Sequence, residues 1–99
     1  MIRHRWTYAE NEVCCRHYLE QYVLHCGDLS VSAFVRLLKQ ELPQLKDNSI
    51  RRKVHNIRHL SLEAKLNDSM KCPAESNCSS DNRKAFYTLL SEYGLKQAC

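Results

Sequence analysis

The chain predicts an all-α domain: three helices forming one unit, then a fourth after a long loop. Three observations predict it. Gly and Pro number only 2 each in 99 residues, too few for the many tight turns of an all-β domain. Four segments repeat apolar residues at helical spacing, each on one face. Each also begins near a residue able to cap a helix. With 43% hydrophobic and 26% charged residues, the composition is that of a soluble globular protein, which excludes collagen, coiled coil and bulk disorder.

The first helix opens at Thr7-Tyr8-Ala9-Glu10, where Thr followed three residues later by Glu is the capping-box pattern. Cys15, Tyr18, Leu19, Tyr22, Val23 and Cys26 then form one apolar stripe, and Gly27 suits the left-handed residue that closes a helix. The helix is expected over about residues 8–25. Ser30, with Asp28 as its rival, caps a second helix over about 30–41, whose stripe is Val31, Phe34, Val35, Leu38 and Leu42. Pro43 restricts Leu42 and stops it.

After Pro43-Gln44-Leu45-Lys46, Asp47 or Asn48 offers a cap for a third helix with Ile50, Val54 and Ile57 on its buried side and Leu60 toward the flank. At about 100° per residue from Ile50, the far side holds Asn48 at ~160°, Arg52 at ~200°, His55 at ~140°, Asn56 at ~240° and His59 at ~180°. Arg51 and Arg58 flank this polar face on one side, Ser49 and Lys53 on the other. Ser61–Leu66 could add one or two helical turns. Residues 67–82, rich in Asn, Ser and Asp, read as a loop. Ser80 or Asp81 then caps a last helix with Phe86, Leu89, Leu90 and Tyr93 as its stripe, closed by Gly94 with Leu95 placed for the accompanying apolar contact. The organisation expected is a core over 1–66, a loop over 67–82, and a C-terminal helix over 83–99 that packs on the core or dimerises.

The net charge of +4 resides in the first two thirds. Residues 1–66 carry 11 Lys and Arg against 7 Asp and Glu, and residues 67–99 carry 4 against 4. An anionic partner is therefore sought on residues 1–66. The densest run, 46–60, sets Lys46, Arg51, Arg52, Lys53 and Arg58 against Asp47 alone.

Three short helices with a basic, Asn-bearing third describe a helix-turn-helix unit of the homeodomain type. A helix fits the major groove, Arg reads guanine with two prongs, Asn reads adenine, and flanking cations hold phosphates. Helix 48–59 is thus expected in the major groove of double-stranded DNA, in a small regulatory protein. Arg52 and Asn56 are the candidate base readers, with Asn48, His55 and His59 beside them. Lys46, Arg51, Lys53 and Arg58 are the candidate phosphate clamps. The competing reading is a solvated helix face, or a protein-interaction module such as an immunity or anti-defence factor on the same scaffold.

Trp6-Thr7-x-x-Glu10 resembles the opening of Myb/SANT-like domains, and Ser49-Ile50-x-x-Lys53-x-x-Asn56-Ile57 resembles their third helix. The likeness covers about residues 5–60 and is greatest to the small helical modules that precede nuclease domains in some prokaryotic restriction-type proteins. It implies a DNA-contacting third helix carrying Lys53 and Asn56.

Other chemistry has less support. The six cysteines include an adjacent pair, a helix end and the last residue, and the start MIRHRWTYAE lacks the apolar stretch of a signal peptide. They are expected as reduced thiols in a cytoplasmic protein, those on the helices as small core residues. No apolar run approaches the roughly 20 residues of a membrane span. His55 and His59 are four apart, and Cys72 and Cys78 lie in CPAESNC, wider than a zinc knuckle; a metal site there is conceivable but not expected. HExxH, GxSxG, CxxC and Gly-rich phosphate loops are lacking, so neither enzyme activity nor a cofactor is expected. Tyr18, Tyr22, Phe34, Phe86 and Tyr93 read as core, and Trp6 as the core edge or a plug between helix ends. A single short recognition helix makes a homodimer attractive, with the last helix as its candidate interface; the same stripe could equally close a monomer core.

Overall fold

The computed structural model describes residues 5–95, and every regular element in them is helical. The order is α1 (Tyr8–Tyr18), a π-helical continuation (Leu19–Leu24), α2 (Val31–Glu41), α3 (Asp47–Glu63) and α4 (Ser80–Glu92). Helix α1 is central: it packs most extensively on α4 and also touches α2 and α3, while α2 lies against α3.

Helix α1 begins as its sequence dictates. Thr7 Oγ1 accepts from the Glu10 N–H at 3.1 Å and Glu10 Oε1 accepts from the Thr7 N–H at 2.9 Å, a complete capping box. The expected single helix 8–25 instead widens at Leu19, where His25 N–H donates to Glu20 O five residues back at 3.0 Å. Each bond here reaches one residue further back than in an α-helix, so the side chains after Leu19 leave the 3.6-residue spacing that kept the stripe on the core face. Val23 is therefore only half-buried, and Cys26, expected in the core, is exposed.

Cys26, at φ 49°, takes the left-handed conformation expected of Gly27. Gly27 is needed for closeness instead: a Cβ there would stand 2.8 Å from the Gln21 carbonyl oxygen. Ser30 caps α2, accepting from Ala33 N–H at 3.2 Å. Helix α3 departs further from expectation. Lys46 occupies its N-cap position, and neither Asp47 nor Asn48 supplies a capping side chain. It runs without a break to Glu63, so Ser61–Glu63 belong to it. It closes on Lys65 at φ 58°, with Leu66 N–H donating to Ser61 O and Lys65 N–H to Leu62 O, a Schellman ending built without glycine. Helix α4 is capped by Ser79 rather than Ser80 or Asp81. It ends on Gly94 at φ 69° in a second such motif, as its sequence predicts.

One apolar core joins all four helices, uniting Cys14, Cys15, Tyr18, Leu19 and Tyr22 with Phe34, Leu38, Ile50, Val54, Ile57, Leu60, Phe86, Leu89 and Leu90. Three rings interlock within it: Tyr22 meets Phe34 at 5.0 Å and 80°, and Tyr18 at 5.2 Å, tilted and edge-on arrangements that add to simple burial. The α4 stripe is spent inside this core.

The segment after α3 is held at Asp68, whose side chain is 1% exposed. Its carboxylate lies 3.2 Å from Arg58 Nη1 and accepts from Tyr18 Oη at 2.5 Å and from Met70 N–H at 2.8 Å. Met70 is buried next to it, and Ser69 Oγ donates to Gly27 O at 2.6 Å. The long loop is thus pinned across α1 and α3.

Candidate nucleic-acid interface

The expected site residues all lie on α3 or directly before it, but the fold divides them. Lys46, Asn48 and Arg52 are exposed. Arg52 has no hydrogen bond or ion pair among the described residues. Arg51 is half-buried, its Nη2 donating to Ser32 Oγ on α2 at 3.2 Å. These four cluster at the start of α3.

Asn56, which the helical projection places away from the core, is buried at 8% exposure, and Lys53, which it sets on the flank of the polar face toward the core margin, is buried at 6%. The projection described an isolated helix, and two segments distant along the chain cover these positions. The Trp6 ring, from before α1, lies over Lys53 with Nζ 4.7 Å from its centroid. Glu75, from the long loop, takes the Asn56 Nδ2 donor on its carbonyl at 3.0 Å, and its own N–H donates to His55 O at 3.1 Å. Asn56 thus holds a loop, with its amide already engaged. Trp6 is half-buried at the core edge, one of the two places the sequence offered for it.

The remaining candidate site residues have partners within the chain. Arg58 serves Asp68, His55 Nδ1 lies 3.6 Å from Glu75 Oε1, and His59 Nε2 lies 3.5 Å from Glu63 Oε2. Glu63 also accepts from Tyr87 Oη at 2.7 Å and from Arg83, and this ring of donors holds its carboxyl below the usual range. No group of three or more potential metal ligands gathers among the described residues, so His55, His59, Cys72 and Cys78 do not converge. All five described cysteines are free; Cys99 lies outside the described residues.

Between the start of α3, Trp6 and Glu75 lies an open groove of about 610 Å³. It is lined by Trp6, Asn48, Ser49, Arg51, Arg52, Lys53, His55, Asn56 and Glu75. Three guanidinium or ammonium groups face one carboxylate there, a surplus of positive charge in a concave site. The sequence found the helix and its cations; Trp6 and Glu75 were beyond it as lining residues, because each arrives from elsewhere in the chain. No helix of the described residues is long and apolar enough to cross a membrane. No family model, curated protein or solved structure matches the chain.

Proposed function

We propose that the chain is a small regulatory protein that binds double-stranded DNA through α3, used as the recognition helix of a helix-turn-helix. The observation that carries this reading is Arg52: an exposed guanidinium without a partner among the described residues, one helical turn from the exposed Asn48 on the same side of α3. Arg52 and Asn48 would meet base edges, while Lys46 and Arg51 would hold backbone phosphates. Asn56 and Arg58 enter this reading as supports of the helix and loop, since their polar groups are engaged within the chain.

Fluorescence polarisation with random and selected duplexes across a salt series tests it. Affinity should fall with salt by a slope of about 0.9 per phosphate contact. Arg52→Ala should leave folding intact and cost about 1–3 kcal/mol at a preferred site. If wild type and Arg52→Ala bind alike, or neither binds at low salt, the DNA reading fails.

A second reading, a protein-interaction module, draws on the internal pairing of Arg58, His55 and His59, which leaves α3 less cationic outward than its composition. The exposed Leu62 continues the same stripe beyond His59 and would belong to such a surface. Retention on heparin or DNA separates the two readings.

A further inference from the structure

Lys53 is the buried lysine of this fold, yet no carboxylate lies within ion-pair distance of its ammonium among the described residues. Among the described residues the Trp6 face offers the one short-range partner, at 4.7 Å, while Cys15 and Cys14 of α1, Cys78 of the loop and Asp81 of α4 act only through space. A cation–π contact offsets part of the cost of burying an ammonium, and the rest is ordinarily met by a counter-ion. Lys53 lines the groove at the start of α3. Asn48 and Ser49, which also line it, belong to the first turn of a helix with no capping side chain. Those orphan N–H groups carry the positive end of the helix dipole. Arg52, without a partner among the described residues, lines the same groove.

We propose that this groove is a phosphate site, with the Lys53 ammonium at its floor, the uncapped first turn of α3 beside it and Arg52 at its rim. An ammonium, free backbone N–H groups and a guanidinium are the donors that a phosphate oxyanion takes. The inference deepens the DNA reading, on which it rests for the source of the phosphate: the backbone of a duplex rather than a free phosphate compound. Burial lowers the Lys53 pKa from its ordinary value. A bound phosphate pulls it back up, so binding takes up protons and weakens as the pH rises through the lowered value.

Trp6, the single tryptophan of the chain, reports the event. Inorganic phosphate, titrated against chloride at matched ionic strength, should give a saturable change in its fluorescence. Lys53→Met keeps the buried stem and removes the charge; it should fold at least as well and weaken phosphate binding by about tenfold or more. If wild-type Trp6 responds to phosphate no differently from chloride, the proposal is overturned, and that measurement does not depend on the variant folding. A short duplex supplies the second arm. Displacement of phosphate by the duplex identifies the nucleic-acid backbone as the source. A phosphate response with no duplex binding keeps the site and removes the DNA reading. Duplex binding without a phosphate response removes the site and leaves the DNA reading standing.

Discussion

Arg58 Nη1 stands 3.2 Å from Asp68 Oδ1, and this pair, rather than any phosphate, claims an arginine of α3 whose side chain is only 19% exposed. Asp68 is nearly inaccessible, and Tyr18 Oη and Met70 N–H complete its coordination. Removing one partner of such a pair leaves the other uncompensated, which costs far more than the intact pair contributes. Asp68→Ala should therefore destabilise the fold by about 3 kcal/mol, and Tyr18→Phe by about 1.5 kcal/mol for the lost bond to a charged acceptor. Urea unfolding of the two single variants and the double variant tests this. A sum of the separate losses in the double variant would show that Tyr18 and Asp68 act independently.

The two ends of the long helices give opposite tests of local backbone geometry. Thr7→Ala removes the capping box of α1 and should cost about 1 kcal/mol. Lys65→Gly should stabilise the protein by roughly 1 kcal/mol, because Lys65 holds φ 58°, a conformation that penalises a Cβ. Thermal melting of both variants checks the pair. A melting temperature lowered by Lys65→Gly would mean that the Lys65 side chain contributes more than its backbone costs.

Burial pushes the Cys14 thiol up to about 12, assisted by Glu10 and Glu41 and opposed by Lys53. In the unfolded chain the thiol ionises near 9.0. Below that value its stabilising contribution is fully present. Above it the unfolded state binds fewer protons than the folded one, and the contribution is lost progressively up to about 12. Cys14 alone should account for a loss of about 1.4 kcal/mol per pH unit within this window. Lys53 has the opposite sign, since its lowered pKa makes stability rise toward 10.5. Comparing the pH dependence of urea unfolding in wild type and Cys14→Ala isolates the thiol: the variant should decline less steeply above pH 9.0. Identical profiles would refute the assignment.

Glu75 is the carboxylate of the groove, fixed there by its backbone bonds to His55 and Asn56. It repels any anion approaching Arg52. Glu75→Gln keeps the backbone bonds and removes the charge, so duplex and phosphate affinity should rise severalfold at low salt and converge with wild type as salt increases. Binding unchanged at low salt would place the anion away from this groove.

The sequence by itself determined what depends on neighbours along the chain. The capping box at Thr7 and Glu10, the Ser30 cap, the stop at Pro43 and the left-handed Gly94 each rest on contacts within a few residues. The apolar stripes behind Phe34, Ile50 and Phe86 rest on helical spacing, and together these features made the all-helical class legible. The π turn at Leu19 and the left-handed Cys26 and Lys65 escaped, since ordinary side chains there accept strain that packing elsewhere outweighs. Tertiary structure alone decided the state of the α3 face. A projection treats a helix as though every side away from its own apolar stripe met water. Trp6 and the loop bearing Asp68 and Glu75 come from far along the chain to lie on that face. They bury Lys53 and Asn56 and neutralise Arg58, leaving Arg52 without a partner among the described residues, because pairing between distant segments depends on where the folded backbone brings them and not on their spacing in sequence.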